Sequence, residues 1–104
     1  MNIQLNTDKH IDGSKALENF VSEKLKATLK HLANHITRIE VHLSDQNADK
    51  SGADDILCKI EARVENRQPV LVSSNSDTKE KAIGIAADKV KAKVSTMVSK
   101  MQAR

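Results

Sequence analysis

Lys89, Lys93, Lys100 and Arg104 follow one another at steps of four, seven and four residues near the end of a 104-residue chain. On a helix turning about 100° per residue they fall along one edge of an apolar stripe. That stripe is Ile83, Ala86, Ala87, Val90, Val94, Met97 and Met101, whose three- and four-residue steps have the period of one helix face. Thr96 extends the cationic edge, and no acidic residue interrupts it. Solvated helix flanks usually mix signs. A one-signed row offers ammonium groups to an anion, and phosphate is the chemistry that suits it. Asp77 with Glu80 three residues later resembles a capping box, so the helix is expected to begin there and run to the end.

Other constellations lead nowhere. Asp45, Asn47 and Asp49 set oxygen ligands at alternate positions, as in a calcium loop. Lys50 then stands where the turn glycine is needed, and Ile56 where a bidentate glutamate is needed. An acidic solvated loop is the reading. The histidines (His10, His31, His35, His42) have no metal-ligand spacing with Cys58. No nucleophile, base and orienter look arranged for catalysis, and three glycines are too few for a phosphate loop. The chain is therefore expected to be no enzyme, with no cofactor, metal or small-molecule substrate.

Phe20 is the single aromatic residue, so base stacking, the usual route to reading single-stranded RNA, is closed. A phosphate backbone remains as a target. The formal charge is +3, unevenly spread. From Asp77 onward seven Lys/Arg face three Asp/Glu, and between Thr37 and Ser76 five face seven. Cations gather on the helices, which points to an anionic partner.

The elements that must position these residues read clearly. Asn2 to Asp8 alternates, with Ile3 and Leu5 on one side. Ser14 is an expected N-cap for a helix carrying Leu17, Val21, Leu25, Leu29 and Leu32 to about Ala33. Lys15, Lys26 and Lys30 line one flank of it, Lys24 and His31 the other. Ile36 to Ser44 is a strand with Ile39, Val41 and Leu43 inward, and Ile56 to Glu65 another with Cys58, Ile60, Ala62 and Val64 inward. Pro69 begins a short strand with Val70 and Val72 inward, and Ser73 to Ser76 leads into the last helix. Arg38, Lys59 and Arg63 share the outward face with Glu40 and Glu61, and cross-strand pairing is expected to neutralise them.

The expected fold is α+β: residues 1–104 form one two-layer β-α-β-β-β-α domain. Its four-stranded mixed sheet has the first two strands parallel, the rest a meander, and both helices on one face. Helices side by side would bring Lys24, Lys26 or Lys30 near Lys89 and Lys93, although which flank faces which is open. Cys58 is the only cysteine, so no internal disulfide forms; it is expected to be buried and inert. With no signal-like or membrane-spanning apolar run, a cytoplasmic location is expected.

With these residues in place, the chain resembles the ribosome hibernation promoting factors, also called ribosome-associated translation inhibitors or protein Y. Ala16-Leu17, Phe20-Val21, Lys24-Leu25 and Ile36-Thr37-Arg38-Ile39-Glu40-Val41-His42-Leu43 look like the family's first helix and second strand. Asp77, Ala82-Ile83, Asp88-Lys89-Val90 and Val94 look like its last helix. The resemblance implies a bacterial-type factor that binds the small ribosomal subunit over the mRNA and tRNA channel, contacts 16S rRNA through helix cations, and represses translation in stationary phase or stress. By position Lys24, Lys89 and Lys100 match family basic sites, with Lys26, Lys30 and Lys93 nearby. The extra dimerisation domain of long family forms is not expected. Gly84 replaces the usual aspartate, and Ala92, Thr96 and Val98 stand where basic or polar residues are common.

Two alternatives stay open. One is a double-stranded-RNA-binding module, since α-β-β-β-α followed by Thr78-Lys79-Glu80-Lys81-Ala82 resembles that domain. The other is a protein-binding regulator on the same fold with little RNA affinity, which uses Met97, Met101 and a projecting helix end as an apolar contact; the same two methionines could also support weak self-association.

Overall fold

Alternation of apolar and polar residues decides which face of the sheet is buried. The computed structural model describes residues 1–46 and 55–102. Four strands, β1 (Asn2–Thr7), β2 (Ile36–Asp45), β3 (Ile56–Val64) and β4 (Val70–Ser76), form one sheet in that order. Helix α1 (Lys15–Thr28) joins β1 to β2, and helix α2 (Lys79–Gln102) follows β4. β1 runs parallel to β2, and β2–β3 and β3–β4 are antiparallel. The expected α+β architecture is the observed one.

The inward residues Ile39, Val41, Leu43, Cys58, Ile60, Ala62, Val70 and Val72 join one core with Leu17, Val21 and Leu25 of α1 and with the α2 stripe. Ile83, Ala86, Ala87, Val90 and Val94 are completely buried. Val98 continues that row, and Met97 only packs against it. The stripe therefore runs through Val90, Val94 and Val98, more than through the methionines.

Several boundaries differ from the sequence reading, each for a local reason. Ser14 caps α1 as expected, its hydroxyl accepting from the Leu17 N–H at 3.1 Å. The α-helix stops at Thr28, and Lys30–His35 tightens into a 3-10 turn that still buries Leu32. Lys30 therefore leaves the helical line of Lys26. At α2 the cap is Thr78, whose hydroxyl accepts from the Lys81 N–H at 3.1 Å. Asp77 pairs with Lys81 at 3.3 Å, so the expected Asp77–Glu80 box does not form. β4 runs on to Ser76, with Ser74 and Ser76 facing inward. The buried Ser74 hydroxyl donates to the Ala82 carbonyl at 2.6 Å, and that bond offsets the cost of placing a serine in the core. The calcium-like constellation from Asp45 to Asp49 lies for its larger part outside the described residues, as does Arg104.

Gly84 lies within α2, and a Cβ added there would meet only the Lys24 Cε, at an ordinary 3.7 Å. Gly84→Ala should therefore stabilise the protein by about 0.5–1 kcal/mol, because it removes backbone freedom from the unfolded chain without a clash. Chemical denaturation with an unchanged m-value checks this.

Cys58 is fully buried on β3, and desolvation pushes its thiol up from 9.0 to about 12. The folded protein holds this proton more tightly than the unfolded chain. The resulting stability is complete below pH 9 and is lost as pH rises toward 12. Native protein should react with a thiol reagent at pH 8 at least tenfold more slowly than denatured protein. Fast native labelling would place the strand in the wrong register.

Candidate nucleic-acid interface

Burying the α2 stripe against the sheet fixes where the helix's two flanks point. Lys89, Lys93 and Lys100 are all exposed on one flank. The Lys89 ammonium donates to the Ser73 carbonyl at 2.8 Å, and Lys93 donates to the Leu71 carbonyl at 3.2 Å. This flank therefore overhangs β4, at the open side of the sheet. Two adjoining hollows of about 630 and 720 Å³ run along it. Pro69, Leu71, Thr96, Met97, Lys93 and Lys100 line the first, and Lys59, Ser73, Lys89 and Lys93 are among the residues lining the second.

Lys24 lies elsewhere. Its Cε sits beside Gly84, about 140° around the helix from Lys89 at 100° per residue. The flank of α1 that carries Lys24 is thus the one facing α2, a point left open by the sequence. Lys26 belongs to the other flank of α1, and Lys30 to the 3-10 turn. The expected merging of Lys24, Lys26 or Lys30 with Lys89 and Lys93 into one patch does not occur. The cations form two groups, with the outer surface of α2 between them.

The open sheet face is organised differently from the expectation. Directly opposite residues carry like charges: Arg38 pairs with Arg63, and Glu40 with Glu61. Neutralisation runs along the strands instead. Arg38 Nη2 donates to Glu40 Oε1 at 2.7 Å and also to the Gln4 side chain. Arg63 lies 3.6 Å from Glu61, and His42 lies 3.6 Å from Glu40. The two glutamates keep only 25% and 24% side-chain exposure, which strengthens their hold on the arginines. Among the residues described, no acidic side chain is paired with Lys59, which lies at the rim of the α2 groove. Lys59 and Arg63 share one face of β3 by alternation. Only the position of β4 and α2 separates them.

Among the described residues, no group of three His, Cys, Asp or Glu side chains could hold a metal. No helix described is long and apolar enough to cross a membrane. The geometry offers a row of ammonium groups with apolar walls and no base-stacking ring. It can hold anionic groups spaced along a chain.

The N-terminal domain of protein Y from Thermus thermophilus has the same fold, with a TM-score of 0.75 at 19% identity over 93% of this chain and 99% of that one. A ribosomal subunit interface protein from Coxiella burnetii matches over 100% of both chains, with a TM-score of 0.75 at 17% identity. No curated protein sequence matches this chain. The family model described as sigma 54 modulation protein / S30EA ribosomal protein matches residues 5–102. Since that match takes in every element except the first residues of β1, the chain belongs to this ribosome-associated, translation-modulating family.

Proposed function

We propose that the protein binds the small ribosomal subunit through 16S rRNA phosphates, in the mRNA and tRNA channel, and represses translation in stationary phase or stress. The observation that carries this reading is the uninterrupted cationic flank of Lys89, Lys93 and Lys100 above the β4 groove. Lys24, Lys26 and Lys30 supply further phosphate contacts from the α1 side. Family membership makes the ribosome the natural source of polyanion, and the cytoplasm the place of action. It favours this reading over a stand-alone double-stranded-RNA module. Shape and charge carry the recognition, because Phe20 alone offers no stacking platform.

If about five phosphates are neutralised, log K should fall with log[salt] at a slope of roughly −3.5 to −4.5. Changing Lys89, Lys93 and Lys100 together to Gln should make the slope shallower by about two to three units. Binding to all RNA sequences should weaken alike, and stability should move little. Lys24→Gln acts on the far flank, so its effect should add to that of the triple variant. Co-sedimentation with 30S subunits across a salt series measures affinity and slope for each variant, and chemical denaturation checks the stability. An unchanged affinity and slope in the triple variant would remove the α2 flank from the site. Absence of binding by the unmutated protein at low salt would remove the rRNA reading altogether.

The sheet face provides a separate check. Arg63→Gln should leave 30S affinity within about twofold, since Glu61 already occupies Arg63. Lys59→Gln should flatten the salt slope by up to about 0.9, one phosphate contact, because Lys59 stands at the groove. The reverse ranking would move the interface onto the open sheet face.

A further inference from the structure

β4 is the last strand of the sheet, and Val70-Leu71-Val72-Ser73-Ser74-Asn75-Ser76 carries no charge of its own. The phase of the ladder shows which backbone groups reach its free side. The Gln46 N–H bonds the Asp55 carbonyl at 2.9 Å at the end of the β2–β3 pair. Backbone groups alternate sides along an antiparallel strand. From Asp55, then, Leu57, Lys59 and Glu61 turn toward β2, and Cys58, Ile60 and Ala62 toward β4. Their partners Ser74, Val72 and Val70 are consequently paired. Leu71, Ser73 and Asn75 send their N–H and C=O groups outward.

Two of those outward carbonyls are the ones capped by α2: Ser73 by Lys89 and Leu71 by Lys93. An added strand needs both carbonyls as acceptors, so it must displace both ammonium groups. A neutral strand would leave two cations without partners beside a groove whose walls include Pro69, Leu71 and Met97. A strand with carboxylates on its helix-facing side would give each ammonium an anion as it took the carbonyl. The spacing suits this exchange. Lys89 and Lys93 are separated by about 6 Å of helix rise, and alternate residues of a strand by about 6.6–6.8 Å. Leu71, 64% exposed, offers apolar contact to the intervening residues.

We propose that the β4 edge takes up an acidic extended peptide as a fifth strand, with Lys89 and Lys93 passing from the β4 carbonyls to carboxylates at alternate peptide positions. Main-chain pairing supplies affinity, and the two lysines supply selection for acid. The inference goes beyond the rRNA reading and shares two lysines with it, so polyanion and peptide exclude each other at this edge.

The test is fluorescence anisotropy with a labelled alternating glutamate–valine heptapeptide, its glutamine–valine isostere, and the glutamate peptide N-methylated at alternate backbone amides in both phases. No RNA is present, so failure of the rRNA reading leaves the outcome untouched. The glutamate peptide should bind at least tenfold tighter than the isostere. That preference should fall below about threefold in the Lys89→Gln/Lys93→Gln double variant. N-methylation in one of the two phases should weaken binding at least tenfold. Equal affinity for the glutamate and glutamine peptides overturns the proposal. So does full binding by both N-methylated peptides, which would make the lysines a plain ion-exchange site with no strand addition.

Discussion

The seam between α2 and the inner face of β3 and β4 is the contact on which the rest depends. Ile83, Val90 and Val94 are completely buried there, and Ala82, Ala86 and Ala87 let the helix lie close to the sheet. A helix has only one rotation that buries this stripe, and that rotation assigns everything else on its surface. Lys89 and Lys93 go over the β4 edge, and Gly84 goes beside Lys24. Position of charge is therefore a by-product of apolar packing. Turning the helix by one residue, about 100°, would carry the cations off the edge and bury polar side chains. The electrostatic surface has no freedom independent of the core.

The sheet's open face follows a different rule. Register sets like charges opposite one another at Arg38/Arg63 and Glu40/Glu61, an arrangement that costs stability when taken alone. Relief comes from neighbours two residues along the same strand, where arginine and glutamate alternate. The face thereby presents rows of opposite sign instead of a patch. Bands of this sort have little net field at a distance, whereas the α2 flank has one. The rows along Arg38–Glu40 and Arg63–Glu61 are thereby kept apart from the cationic flank of α2.

Most of the fold was legible because its signals are periodic. Two-residue alternation marked β1, β2 and β3, and the 3.6-residue stripe marked α2. What escaped depended on contacts between elements. Ser74 and Ser76 looked like loop residues, and only the Ala82 carbonyl makes a buried serine tenable at position 74. The turn from Leu29 into Lys30–His35 kept helix-like spacing in Leu32 while changing helix type. Asp77 is the cap its spacing from Glu80 suggests, but the Asp77–Lys81 pair leaves the role to Thr78. At the site, the cationic row was visible from spacing alone. Its neighbours were not, since helical wheels give the angle between residues and not the identity of the element on either side. Register likewise decided the charge rows, and a one-residue slip would have reversed them.

The uncharged edge strand has a consequence for how the chain folds. β4 is complete at Ser76, but the lysines that cover its carbonyls and the stripe that covers its inner face belong to a later segment ending at Gln102. Until α2 docks, the sheet has neither its lid nor its guards, and its last strand carries no charge. Chains that meet before α2 docks can pair along that edge. Productive folding of this domain is therefore governed by how soon α2 arrives, more than by how fast the strands pair.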